Sequence, residues 1–252
     1  MSFDVAADSY DRFMGRYSLP LAAEFADFAQ IAPGQRVLDV GCGPGALTGE
    51  LVARVGAAAV AAVDPSEQFV AAVRARHPDI RAEVAPAEAL PCEDGSFDAA
   101  LAQLVVHFMA DPVAGLREMA RVTRGGGTVA ACVWDLAGSQ SPLSLFWDAA
   151  RQLDPGLEGE SGRPGGREGD LAELFDQAGI REIDAGVVSV EVEHGSFEEW
   201  WEPHTLGVGP LGGYVSRLDE RRLAQLRDRC RELLPPAPFV LSADAWAARG
   251  RA

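Results

Sequence analysis

The chain has 252 residues, 48% of them hydrophobic, enough for one sizeable core. Its formal charge is −16, from 38 acidic against 22 basic residues spread along the whole length, a surface that repels phosphate backbones and anionic lipid. The absence of Lys and Asn excludes a Walker-type phosphate loop, a Schiff-base lysine, a pyridoxal anchor and N-glycosylation acceptors.

The opening MSFDVAADSYDRF has neither a basic n-region nor an apolar h-region, and no apolar run is long enough for a membrane span, so a cytoplasmic setting is expected. An amphipathic helix is expected over Leu19 to Gln30, then a short apolar strand from Arg36 to Val40 that feeds a Gly-rich turn. A helix from Ala46 to Val55 follows, then a strand Ala58 to Val63, a helix Ser66 to Arg76, and strands Ile80 to Val84 and Phe97 to Gln103. Continuous apolar runs imply strands covered on both faces. A helix from Val113 to Val122, a turn at Gly125 to Gly127 and a strand Thr128 to Trp134 complete a pattern whose alternation predicts a mostly parallel, doubly wound α/β sheet.

From Leu136 to about residue 170 the pattern weakens. A helix over Pro142 to Leu153 and the run ESGRPGGREGD around Arg163 read as a flexible insertion or lid. A helix Leu171 to Ala178, stopped by Gly179, precedes an alternating strand over Ile183 to Val192. A second insertion at about 196 to 236 carries Trp200, Trp201, Tyr214 and a helix over Arg217 to Leu234, and the chain closes on an edge strand, Phe239 to Trp246. The whole reads as one domain, residues 1 to 252, with two helical caps. Cys42, Cys92, Cys132 and Cys230 lie far apart, with no C-x-x-C pair and no His at zinc-ligand spacing, so they are expected as thiols and no metal site is expected.

VLDVGCGPG, residues 37 to 45, places Gly41, Gly43 and Gly45 where a strand turns into a helix, a geometry that lets backbone approach a ligand and aims helix amides at it. The carboxylate of Asp64 ends the second strand about twenty residues on, where a ribose diol needs an acceptor. A tight βα turn with an ordinary capping acid has the same pattern. Dinucleotides and S-adenosylmethionine both use such a turn, and Asp39 discriminates: a carboxylate there repels a pyrophosphate and favours an ammonium or sulfonium.

With VLDVGCGPG, AAVDPSEQFV, VAPAEALPCEDGSFDAALAQ and TRGGGTVAACVWD in this order, the chain resembles the class I S-adenosylmethionine-dependent methyltransferases, in particular the small-molecule branch near the ubiquinone and menaquinone methylases. The resemblance implies a seven-stranded Rossmann-like sheet with an antiparallel C-terminal edge strand. It also implies S-adenosylmethionine as cofactor, S-adenosylhomocysteine as product and a small-molecule acceptor methylated on O, N or C. Implied cofactor residues are Asp39, Gly41, Cys42, Gly43, Gly45, Asp64, Pro65, Ala87, Glu88 and Gln103. Pro86 departs from the Asp frequent in the family, which leaves the backbone of Ala87 for the adenine. The arm YDRFMGRYS is implied to fold across the cofactor, with Tyr10 and Arg16 near its methionine end and Arg16 pairing with a carboxylate.

Methyl transfer is an in-line displacement in which alignment and desolvation supply much of the rate. A base serves only poorly acidic acceptors, and His107, just past the fourth strand, is the candidate. A packed histidine is the alternative. His194 and His204 lie around the second insertion and could line a pocket, although a surface position is the commoner outcome, and the cap aromatics read as packing or a stacking platform. Pro91-Cys92 precedes the fourth strand and takes no role, and no Asp-Pro-Pro-Tyr step occurs, so DNA base methylation is disfavoured. A nicotinamide-dependent oxidoreductase needs a Tyr-x-x-x-Lys pair that a Lys-free chain lacks. A binding module that keeps the cofactor turn without transfer activity remains a second reading.

Overall fold

A computed structural model describes residues 7–252. Seven strands form one sheet in the order β3-β2-β1-β4-β5-β7-β6, where β1 is Val37–Val40, β2 Val60–Asp64, β3 Arg81–Val84, β4 Phe97–Gln103, β5 Thr123–Trp134, β6 Arg181–His194 and β7 Phe239–Arg251. β1, β2, β3, β4 and β5 pair in parallel, and β7 lies antiparallel to both β5 and β6.

The expected antiparallel C-terminal strand is therefore present, but its place differs. β7 sits one position inside the sheet and β6 forms the edge. The reason is in β7 itself: Ala243, Ala245, Ala247 and Ala248 are all buried, small side chains that let helices close over both faces of an interior strand. β6 shows the alternating exposure of an edge. The glycine run at 125 to 127 is no free turn either, since Gly126 N–H donates to Ala252 O (3.1 Å) and Ala252 N–H to Gly127 O (3.1 Å), which extends β5 back to Thr123.

The helices between strands are α3 (Ala46–Val55), α4 (Glu67–Arg76) and α5 (Pro112–Val122). Ser66 and Asp111 cap α4 and α5 by accepting from Phe69 N–H (3.4 Å) and Ala114 N–H (3.0 Å). Ahead of the sheet, α1 (Ala7–Tyr10), a π-helical turn (Asp11–Gly15) and α2 (Arg16–Phe28) run on as one helical arm, which begins well before the expected Leu19. After β5 come α6 (Ser144–Leu153), α7 (Asp170–Gln177), α8 (Phe197–Trp201), α9 (Gly209–Val215) and α10 (Glu220–Leu233).

Period-two alternation sends the central strands into two cores. Leu38, Val40, Ala100, Ala102, Val129 and Val133 face α5 and α7. Val37, Ala99, Leu101, Cys132 and Trp134 face α2 and α3, and this second core continues through Phe146 into Trp200 and Trp201. The carboxyl ends of β1, β4 and β5 thus gather at one edge beneath the helical arm.

Candidate functional site

The turn after β1 is shaped by a close approach. Gly41 and Cys42 N–H both donate to Val63 O, at 2.8 and 3.0 Å, tying the turn to β2. Gly41 has φ +73°, and a Cβ there would lie 2.3 Å from Val105 Cγ2, so the segment leaving β4 rests directly on this glycine. Gly43, at φ +51°, has nothing within 4 Å of its Cβ position, which makes its outer face open.

Two carboxylates flank the turn. Asp64 is buried, accepting from Gly43 N–H (2.9 Å) and Ser66 N–H (2.8 Å), one on each oxygen. Burial raises its pKa, against the two amides that favour the anion. Asp39 is 1% exposed, and its Oδ2 accepts from Thr48 Oγ1 (2.6 Å). Its Oδ1 is buried with no partner among the described residues. Burial, opposed by Thr48 and reinforced by Asp64, pushes the Asp39 pKa up to about 7. Cys42 is buried, its thiol pKa held well above the usual range by burial and the two aspartates, so its contribution is backbone. Gly45 precedes α3, and Pro65 is exposed beside Asp64.

The arm closes over this turn. Tyr10 meets Phe69 of α4 edge-on (5.5 Å between centroids), and its hydroxyl pKa is raised by burial and by Asp64 and Asp11. Arg76 clasps the arm by pairing with Asp11 and donating to Pro44 O (2.7 Å). Gln103 donates to Ser18 O (2.9 Å), leaving its buried Oε1 without a partner among the described residues.

Arg16 goes elsewhere. Its guanidinium holds Glu199 (2.5 Å) and His194 Nδ1 (2.8 Å). The reason is His194, 1% exposed rather than on the surface. Because arginine can only donate, Nδ1 must accept, and Nε2–H then donates to Tyr17 Oη (2.9 Å). Replacing Arg16 by Ala should leave cofactor affinity unchanged while destabilising the protein by about 1–3 kcal/mol, the range for stranding a buried polar atom. Calorimetry and urea denaturation read the two quantities separately.

Glu88 is also diverted. Its Oε1 accepts from Ala110 N–H (2.7 Å) and Asp111 N–H (3.2 Å), fixing the loop into α5, and Ala87 turns its buried methyl toward Gly115. His204 is likewise buried, its Nδ1 against Trp200 O (2.8 Å) and its ring stacked on Phe146.

His107 lines a cavity of about 40 Å³ beyond the turn, together with Tyr10, Phe13, Leu104, Trp134 and Glu160. Burial, aided by the positive Arg163, lowers its pKa to about 3. A general base works best with a pKa near the operating pH, so a neutral His107 is better suited to hydrogen bonding than to taking a proton. Arg163, expected in a flexible run, is packed: it donates to His107 O (3.2 Å) and lies 5.0 Å over the Phe108 ring. Glu160, in the same run, was not foreseen. One acid among others in a stretch rich in Gly, with Ser, Pro and Arg, has no periodicity to reveal burial.

Asp39, Gly41, Cys42, Gly43, Gly45, Asp64 and Pro65 thus meet at one turn with Tyr10 above them, whereas Arg16 and Glu88 are committed to structural partners. Residues 38–131 match the family described as Methyltransferase domain. An uncharacterized methyltransferase of Mycobacterium tuberculosis is 36% identical over 170 residues, 68% of this chain and 61% of that protein. A demethylmenaquinone methyltransferase of a Mycobacterium species is 40% identical over 116 residues, 46% of this chain and 49% of the relative. The chain therefore spans about half to three-fifths of the length of these relatives. Among solved structures, an S-adenosylmethionine-dependent methyltransferase of Thermotoga maritima described as a possible histamine N-methyltransferase aligns with a TM-score of 0.57 at 19% identity, covering 97% of this chain and 94% of that one. Residues 38–131 thus match a methyltransferase domain in sequence order, and the seven-stranded sheet and glycine turn that hold them share the fold of the solved methyltransferase.

Proposed function

We propose that the protein transfers a methyl group from S-adenosylmethionine to a small-molecule acceptor. The observation that carries this reading is Asp39: a fully buried carboxylate with an unpartnered oxygen, beside an open glycine turn whose other wall is Asp64. Such a site is hostile to a diphosphate and suited to a cationic, phosphate-free nucleoside. Asp64 would hold the ribose diol, since each oxygen accepts one amide and keeps a lone pair. The Gly41 to Gly45 backbone would lie along the methionine portion and Asp39 would face its ammonium, while Tyr10 would cover the site. Arg16 and the Glu88 side chain are left out of this set.

When bound, the cofactor supplies an electrophilic methyl on a sulfonium. The chain's part is to orient the acceptor against that methyl and to exclude water, work done by the apolar cavity wall. His107 would position the acceptor as a neutral hydrogen-bonding group. Among the described residues no helix is long and apolar enough to cross a membrane, and none of the four cysteines is in a disulfide. With the acidic charge, this supports a cytoplasmic enzyme acting on a dissolved acceptor rather than on nucleic acid.

Titration calorimetry should show S-adenosylmethionine and S-adenosylhomocysteine binding while NADH does not, and radiolabelled methyl should pass to at least one member of a panel of phenols, amines and sugars. Binding of NADH in preference would sink the reading, and binding without transfer would favour the non-catalytic module. Asp64→Ala should weaken cofactor affinity by about 1–3 kcal/mol, the range for a lost buried polar contact.

Asp39 adds a pH signature. In the free protein it keeps its proton below about pH 7. A bound ammonium favours the anion and lowers that pKa, so binding at about pH 6 releases up to one proton and affinity climbs as pH rises toward neutrality. Calorimetry in buffers of differing ionisation enthalpy should detect the release in the wild type and its loss in Asp39→Asn. Equal release by both would remove Asp39 from the cofactor site.

A further inference from the structure

The cavity beyond the cofactor turn is apolar apart from three titratable side chains, Tyr10, His107 and Glu160. Glu160 is the carboxylate among them, and only one of its oxygens is paired. Its side chain is 5% exposed, and Oε1 lies 3.3 Å from Arg163 Nε. Its Oε2 is buried with no hydrogen-bond partner among the described residues. Burial raises its pKa; Arg163 and the Trp147 indole N–H, which is near the carboxylate but outside hydrogen-bond geometry, favour the anion.

The carboxylate is held in place rather than merely trapped. Arg163 N–H donates to Glu160 O (3.1 Å), and its guanidinium spans from Glu160 to His107 O while lying on Phe108. On the other side Gly159 abuts Trp147, with 3.2 Å between its Cβ position and the indole. Swinging the Glu160 side chain to solvent would break its pairing with Arg163. A buried acceptor kept unpaired at the wall of a cavity is a group whose partner arrives with the ligand.

We propose that Glu160 selects the methyl acceptor by accepting a hydrogen bond from an N–H or O–H group carried on an aromatic or otherwise apolar molecule. It disfavours acceptors that present a carboxylate at the same point. The charge balance supports this: His107 is neutral and Arg163 is already shared between Glu160 and the His107 carbonyl, so nothing on this wall is free to neutralise an incoming anion. The inference rests on the methyl-transfer reading, because it takes the cavity to be the acceptor's. At about 40 Å³ the closed cavity holds little more than a water or a methyl group, so a ring-sized acceptor requires it to widen.

The test uses four single-ring probes of nearly one shape, phenol, aniline, toluene and benzoate, titrated by NMR into protein saturated with S-adenosylhomocysteine. Phenol and aniline should bind about tenfold tighter than toluene, the worth of one net hydrogen bond to a charged group, and benzoate should bind weakest. In Glu160→Leu the preference for phenol over toluene should vanish. Glu160→Gln, which keeps an acceptor oxygen but no charge, should retain that preference and lose the discrimination against benzoate. The proposal is overturned if the Leu variant keeps the wild-type ranking, if benzoate binds best, or if no probe binds protein that has taken up S-adenosylhomocysteine. Failure of the wild type to bind S-adenosylhomocysteine instead counts against the methyltransferase reading, and the ranking in ligand-free protein then judges Glu160 separately.

Discussion

Gly41→Ala should be among the most damaging single-methyl changes in the protein, lowering its stability by about 2–5 kcal/mol. Two independent penalties combine. The φ of +73° places an L-residue in left-handed backbone, at roughly 1–2 kcal/mol, and the new Cβ would lie 2.3 Å from Val105 Cγ2 and 2.8 Å from its Cβ, an overpacking of about 1–3 kcal/mol. Because the branch carbon of Val105 is itself in the way, a rotamer change cannot clear the clash. The segment that starts at Val105 carries His107, so the same methyl also pushes the cavity wall away from the cofactor turn. Urea denaturation of Gly41→Ala, of Val105→Gly and of the double variant separates the two penalties: the double variant, which loses the Val105 Cβ as well as its γ carbons, should recover the packing part and keep the backbone part. Full recovery would mean that the positive φ costs nothing. No loss in the single variant would mean that the turn and the segment after β4 do not touch.

That contact also shows what was legible in the sequence and what was not. The strand, glycine turn and helix around Gly41 were readable because each is local: apolar run, small residues, amphipathic run, all within a few positions. Asp39 was chosen on charge, and the structure adds the burial and unpaired oxygen that give the choice weight. Where the Arg16 and Glu88 side chains go was beyond local pattern for one shared reason. Each has a long side chain whose partners, Glu199 and His194 for one and the Ala110 and Asp111 amides for the other, are remote in the chain. His194 and His204 are expected at the surface from their place around the second insertion, yet one lies between Arg16 and Tyr17 and the other against Phe146. The position of β7 inside the sheet was likewise beyond local pattern, since an alanine-rich strand reads the same at an edge or in the middle.

Trp200→Ala should lower stability by about 3–5 kcal/mol, the range for truncating a fully buried aromatic. The indole is 1% exposed and packs against Trp201, Phe197 and the His204 ring, the last at 4.4 Å between centroids. The lower end is expected, because Trp200 Nε1 has no hydrogen-bond partner among the described residues and its removal relieves that burden. How the loss is distributed matters more than its size. The core that takes in Trp200 runs without a break through Phe146 and Trp134 to Val37 and Leu51, so the segment at 196 to 236 shares its apolar core with the sheet rather than sitting on it as a separate cap. A single cooperative transition, displaced to lower urea, is therefore expected by circular dichroism and by loss of S-adenosylhomocysteine binding alike. An early transition that leaves the sheet and cofactor binding intact would show instead that this segment folds on its own. In that case the cavity wall formed by Val208 and Leu211 could open without disturbing the cofactor turn.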